Sequence, residues 1–88
     1  MPFRVTEVLA LDGFRLRVRF VDGLEGFVDM SGRVKSPTAG VFAALAAPDK
    51  FARVFVDHGV VTWPGELDLA PDRMHAEITA NGKWVLPA

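Results

Sequence analysis

The sequence predicts an α+β domain: an antiparallel sheet of about five strands, arranged as a three-stranded meander, a helix and a hairpin, followed by a C-terminal helix. The first observation is the alternation of arginine and apolar side chains over residues 15–20, which is the period of a half-buried strand. The second is a pair of Asp-Gly turn signals, at residues 12–13 and 22–23, on either side of that strand. The third is the placement of Pro71 and Gly82, which suit the start and the end of one helix.

The first half of the chain is predicted to form strands over residues 3–11, 15–21 and 24–30. The middle strand has two different faces: Leu16, Val18 and Phe20 on one side, and Arg15, Arg17 and Arg19 on the other. Asp22-Gly23 favours a type I′ hairpin turn, because glycine tolerates a positive φ. Residues 31–40 contain two Gly, one Pro and two Ser, so we predict a loop there.

The second half is predicted to contain a helix over residues 40–47, strands over residues 53–56 and 60–63, and a turn at residues 57–59. Val41, Phe42 and Leu45 have helical spacing in the first of these segments, and Pro48 ends it. A last helix is predicted over residues 71–80, because Met74 and Ile78 lie four residues apart. The alternative is a hairpin in which residues 77–80 pair with residues 83–86.

Composition limits the classes of function. The chain has 88 residues, enough for one domain, with residues 78–88 as a segment that is available for docking. Half of the residues are hydrophobic, so a second copy or another protein is expected to cover part of the surface. A net charge of −1 argues against nucleic acid as the main partner. The chain has no cysteine and no apolar run of about 20 residues, so we expect a cytoplasmic protein without a membrane segment.

The sequence offers no complete catalytic or metal-binding pattern. A zinc site needs three or four ligands, and the only histidines are His58 and His75, each predicted to be a polar turn or surface residue. No phosphate-binding glycine loop and no nucleophile motif is present, so we predict no cofactor and no enzymatic activity. The acidic residues after Trp63 are expected to serve mainly as turn and capping residues: Glu66, Asp68 and Asp72.

Two features of the sequence are candidate partner contacts. The arginine ridge, Arg15, Arg17 and Arg19, either binds an acidic surface or phosphate, or forms an outer face paired with Glu25 and Asp29. Trp63 is expected to be a core or lid residue that packs on the end of the sheet, with its indole N–H bonded to a partner group. Trp84 either folds back on its own domain or docks onto a neighbour, and the two alternatives have equal support. We add Met74 to the tentative partner-binding residues.

Several motifs resemble the bacterial family called domain of unknown function 2442. The most specific is Val61-Thr62-Trp63-Pro64-Gly65, followed by Leu67-Asp68-Leu69-Ala70-Pro71-Asp72 and Met74-His75. The resemblance covers approximately residues 5–78. It implies a small α+β module that is often encoded beside another short protein, in arrangements similar to toxin–antitoxin pairs. Some members are fused to a helix-turn-helix domain, which this sequence lacks, so direct operator binding is not implied.

These observations predict a non-enzymatic protein-interaction module, antitoxin-like if the resemblance extends to function, with another small protein as partner and a homodimer as a compatible arrangement. One alternative is a nucleic-acid-binding accessory protein that uses the arginine ridge. The other is a small-ligand or enzymatic site near Trp63, formed with Glu66, Asp68 and His75. That alternative requires these side chains to converge in a pocket.

Overall fold

Seven strands and four short helical segments make up the fold in a computed structural model, which describes residues 3–37, 40–65 and 67–87 apart from the Val41 side chain. The strands are β1 Val5–Leu11, β2 Arg15–Phe20, β3 Glu25–Asp29, β4 Phe55–Asp57, β5 Val60–Trp63, β6 Leu67–Leu69 and β7 Lys83–Val85. The helices are α1 Ser31–Lys35, α2 Pro48–Phe51 and α3 Pro71–Asn81, with a 3₁₀ helix at Gly40–Ala46.

The strands form two sheets. One has four strands in the order β1-β2-β3-β7, and the other has three in the order β4-β5-β6. All neighbouring strands are antiparallel except β7, which runs parallel to β3. The α+β class and the C-terminal helix are confirmed, whereas the prediction of one sheet of about five strands is wrong in its detail. The two strands that sequence reasoning missed, β6 and β7, are three residues long, too short for an alternating pattern to identify.

The hydrophobic core lies between the two sheets and α3. Its fully buried members come from both sheets, from α3 and from the residue before α1: Leu16, Val18, Phe20, Val28, Met30, Val61, Trp63 and Met74. Helix α3 crosses the inner face of the four-stranded sheet where Gly26 allows a close approach. A Cβ at Gly26 would lie 2.5 Å from the Ile78 Cγ2 atom and 2.9 Å from the Gly82 carbonyl oxygen.

The turn between β2 and β3 differs from the predicted type I′ turn. Gly23 has a φ of 91°, but Asp22 is not among the residues with positive φ, as a type I′ turn would require. The Phe20 amide donates to the Leu24 carbonyl, which makes a three-residue loop, and the Asp22 carboxylate accepts the Leu24 amide at 3.0 Å. The type I′ pattern occurs instead between β4 and β5, where His58 and Gly59 have φ values of 50° and 82°.

The central segment contains more helix than predicted. The predicted loop over residues 31–40 begins with α1, because the Asp29 carboxylate accepts both the amide and the hydroxyl of Ser31, at 3.0 and 2.7 Å. Val34 anchors this helix in the core. The helix predicted over residues 40–47 is a 3₁₀ helix, and Pro48 begins α2 rather than only ending the segment. The fourth strand lies two residues later than predicted at its start, at Phe55–Asp57.

The C-terminal helix is confirmed, and the alternative hairpin does not form. Pro71 lies in the first turn of α3, and Gly82, with a φ of 76°, donates its amide to the Ile78 carbonyl. Residues 83–85 then pair with β3 instead of with residues 77–80. Leu86 is buried, so the segment 78–88 folds back on its own domain over its described residues. None of the described helices is long and apolar enough to cross a membrane.

Candidate protein-interaction surface

The four-stranded sheet has an outer face that points away from α3 and the core. Paired residues on neighbouring strands share a face, so the register arranges this outer face in three rows across the sheet. The first row is Glu7, Arg19 and Glu25; the second is Leu9, Arg17, Phe27 and Lys83; the third is Leu11, Arg15, Asp29 and Val85. The arginine ridge predicted from the sequence is therefore the part of this outer face that lies on β2.

Large apolar side chains are exposed on the outer face. Leu9 is 59% exposed on β1, Phe27 is 47% exposed on β3, and Val85 is 55% exposed on β7. Arg17 lies between Leu9 and Phe27 in the middle row. The face therefore mixes apolar and cationic groups on one open sheet surface, and such patches are characteristic of protein contact sites.

The charges on the outer face nearly balance. Its basic residues are Arg15, Arg17, Arg19 and Lys83, and its acidic residues are Glu7, Glu25 and Asp29. The Arg17 Nη2 atom lies 3.4 Å from the Glu25 Oε1 atom, as the outer-face pairing predicted. The pKa of Asp29 is lowered, chiefly by the hydrogen bonds from Ser31 and further by the nearby charges of Arg15 and Lys83. An open depression of about 420 Å³ lies between β1 and β2 on this face.

Trp63 and Met74, two of the tentative partner-binding residues, are core residues. Trp63 is 1% exposed, and its indole Nε1 donates to the Phe51 carbonyl at 2.9 Å, so the prediction of a core position with a bonded N–H is confirmed. The Met74 side chain is fully buried in α3. Both side chains therefore stabilise the interior and do not contribute to the surface.

Trp84 lies in β7 on the inner side of the sheet. It pairs with Val28 and packs partly buried against the core, so the alternative in which it folds back on its own domain is the one observed. Its neighbours Lys83 and Val85 are the β7 residues on the outer face. Of the β7 residues, sequence reasoning named only Trp84, which lies on the inner side of the strand.

Sequence reasoning also missed the three exposed apolar residues of the outer face. Phe27 alternates with buried Val28 along β3, and this alternation places it on the arginine side. Leu9 lies on the same side of the sheet, because it pairs with Arg17 on β2. No local pattern identifies Val85, because its face depends on a long-range parallel pairing.

The residues proposed for a site near Trp63 do not form one group. Trp63 and Asp68 border a second open depression of about 390 Å³ on the outer side of the three-stranded sheet, and His75 is not among its lining residues. Glu66 lies outside the described residues. The exposed His58 side chain borders the same depression and pairs with Asp57 at 2.7 Å, which fits its predicted role as a polar turn residue.

His75 instead connects α3 to the four-stranded sheet through a hydrogen bond and ring contacts. Its Nε2 atom lies 2.8 Å from the Asp22 Oδ2 atom, and its ring packs between Phe3 and Phe20, with centroids 4.3 and 4.9 Å away. The side chain is only 16% exposed, so it is less of a surface residue than predicted. The hydrogen bond from His75, together with the Leu24 amide, lowers the pKa of Asp22. Within the described part of the chain, no three metal-ligating side chains come together.

The fold and the outer face define a small α+β domain with one open, mixed sheet surface. A family model described as "Protein of unknown function (DUF2442)" matches residues 5–80. The chain belongs to this family, and the resemblance predicted from the Trp-Pro and Pro-Asp motifs is confirmed. No curated protein and no solved structure matched the chain.

Proposed function

We propose that this protein is a non-enzymatic protein-interaction module that binds another polypeptide on the outer face of its four-stranded sheet. The observation that carries the proposal is the exposure of Leu9, Phe27 and Val85 on that face. Phe and Arg are both enriched in protein interfaces, where an apolar centre is ringed by polar groups. Phe27 between Arg17 and Lys83 has this composition.

The charge pattern favours a protein over nucleic acid as the partner. Phosphate recognition uses clustered cations without interleaved carboxylates. Here Glu25 lies beside Arg17 and across from Arg19, and Asp29 lies across from Arg15. A salt titration of DNA binding tests the alternative: binding at low salt that weakens steeply as salt is added would support the nucleic-acid reading over ours.

The antitoxin-like role implied by the family resemblance is a more specific form of the same proposal. It requires a second small protein as the partner, and co-purification from the native host would identify one. A stable one-to-one complex with a different short polypeptide would support that form.

Site-specific cross-linking in cells tests the proposal. We expect a photoreactive amino acid at position 27 to give discrete protein adducts. The matched control is position 55, because Phe55 is similarly exposed, at 43%, on the outer side of the other sheet. Mass spectrometry would identify each adduct. Adducts at position 55 but not at position 27, or none at either position, would overturn the proposal.

A further inference from the structure

We infer that the partner on the outer face is a second copy of this chain, packed face to face about a two-fold axis that runs parallel to the strands between β2 and β3. This inference rests on the proposed function and names the partner of the same surface. Most soluble oligomers are symmetric homo-oligomers, and a two-fold interface must be complementary to itself. The three rows of the outer face meet that condition.

The two-fold axis keeps each row and reverses the order of the strands. It therefore places β2 of one copy over β3 of the other, with the same row facing the same row. In the first row, Arg19 then faces Glu25 of the second copy. In the third row, Arg15 faces Asp29 of the second copy. Symmetry repeats each contact, so the interface contains four opposite-charge pairs.

The apolar residues of the outer face also have suitable partners on the second copy. In the middle row, the Arg17 guanidinium faces the Phe27 ring of the second copy, which is a cation–π arrangement. In the third row, Leu11 on β1 faces Val85 on β7 of the second copy. Leu9 faces Lys83, whose methylene stem covers apolar surface while its ammonium group reaches water. The exposed apolar groups therefore meet one another or a suitable partner.

A partner of a single charge sign fits this face less well. Arg19 and Glu25 are directly paired across β2 and β3, so an acidic partner that suits one residue repels the other. A second copy presents the opposite charge at each of these positions, because the axis exchanges β2 with β3. The near balance of positive and negative charge on the outer face also favours a second copy as the partner.

The size of the face predicts a weak, reversible dimer. The four strands have 7, 6, 5 and 3 residues, which at about 4.8 Å between strands and about 3.4 Å per residue give a face of roughly 340 Å². Side-chain relief enlarges the accessible area, but the total stays near the lower limit of stable interfaces, about 1,200 Å² for both partners. Twisted sheets also pack at about 30° to each other, which favours the central strands over the corners. We therefore expect a dissociation constant on the order of micromolar or weaker.

Sedimentation velocity over about 1 μM to about 1 mM protein tests for the dimer, since this range brackets the expected affinity. We expect the mass to rise toward twice that of the monomer. Phe27→Lys should raise the dissociation constant about tenfold or more, because it places a cation opposite Arg17 of the second copy and removes the cation–π contact. Phe55→Lys is the matched control and should leave the constant unchanged. Circular dichroism confirms that both variants are folded.

A charge-reversal mixture tests the two-fold pairing itself. Arg19→Glu places two like-charge contacts in its own homodimer, and Glu25→Arg does the same with the opposite sign, so each variant alone should dimerise more weakly. Mixed together, they form a heterodimer in which both contacts are again of opposite sign, and association should recover. Intrachain effects of either substitution cannot produce such recovery.

The outcomes separate the inference from the proposed function. A protein that stays monomeric throughout overturns the inference, while the adducts at position 27 still decide the proposed function. A dimer that Phe55→Lys disrupts and Phe27→Lys does not would place the contact on the other sheet, which also overturns the inference. Failure of the mixture to associate more strongly than either variant alone would refute the proposed axis.

Discussion

Trp63 connects β5 to α2, the helix that precedes the β4–β5 hairpin. Its indole N–H bonds the Phe51 carbonyl at the end of α2, and its ring packs against the Phe51 ring with centroids 5.8 Å apart. The same residue ends β5, so it joins the three-stranded sheet to the central helices. The indole is the closer of two donors to this helix-end carbonyl, since the Val54 amide also donates to it, at 3.4 Å.

Trp63→Phe is expected to lower the free energy of unfolding by about 1–3 kcal/mol, because it removes the buried indole hydrogen bond and leaves the Phe51 carbonyl with only the longer bond from the Val54 amide, at 3.4 Å. Urea denaturation measures the loss. Trp84→Phe is the comparison variant, since Trp84 is only partly buried, and its loss should be smaller. Equal losses for the two variants would contradict a specific contribution of the indole hydrogen bond.

Gly26 sets the distance between α3 and the four-stranded sheet. The Cβ that Gly26→Ala introduces would lie within 3 Å of both the Ile78 side chain and the Gly82 carbonyl oxygen. We expect a destabilisation of about 1–3 kcal/mol by overpacking, measured by chemical denaturation. Gly32→Ala in the exposed part of α1 is the control and should be neutral or slightly stabilising, because alanine favours helix. A Gly26→Ala protein as stable as the wild type would show that α3 can shift without cost.

At the scale of the element, α3 has well-defined ends. Pro71 starts it, and Gly82 ends it in the left-handed conformation before the chain reverses into β7. Since β7 begins directly after Gly82, the position of the helix end sets the register of β7 on β3. It therefore also sets which β7 residues lie on the outer face.

Gly82→Ala should cost about 1 kcal/mol, because an L-residue is strained at a φ of 76° although there is open space around the added Cβ. Gly82→Asn should cost less, since asparagine tolerates this conformation better. Thermal unfolding of the two variants gives the ranking. If alanine and asparagine destabilise equally, the difference in their tolerance of a left-handed backbone would not be the cause, which would contradict this account.

At the scale of the whole molecule, two carboxylates make the stability of the fold depend on pH. The folded-state pKa values of Asp22 and Asp29 are both lowered, so both residues bind fewer protons in the folded than in the unfolded state near their titration range. Their stabilising contributions are complete above the unfolded pKa, about 3.9, and are lost as the pH falls through the lower folded values. Asp22 acts through His75 on α3, and Asp29 acts through Ser31 on α1.

The free energy of unfolding should therefore decline below about pH 4. Asp29→Asn should be less stable than the wild type at neutral pH, and the difference should shrink as the pH falls, because the wild-type carboxylate becomes protonated. Chemical denaturation at a series of pH values measures both curves. A difference that stays constant from neutral to acidic pH would contradict this account. Asp57→Asn is a suitable control, since it changes an exposed hairpin carboxylate.

Much of the fold was predictable because its signals are local. The alternation in β2, the turn residues and the proline and glycine around α3 each act within a few residues, and the structure has those elements nearly as predicted. The arginine side of β2 was likewise predictable as an outer face. The partner contacts named around Trp63 and Met74 were not predictable, because burial depends on which elements pack together.

The sequence by itself determined the meander, the last helix and the family, since periodicity, turn chemistry and the Trp-Pro and Pro-Asp motifs are properties of short segments. The tertiary structure alone decided that the strands divide into two sheets and that β7 pairs in parallel with β3. It also placed Trp84 inward and Val85 outward. The physical reason is that a three-residue strand carries too little periodicity to define its own face, so its face is set by the hydrogen bonds of a distant partner strand.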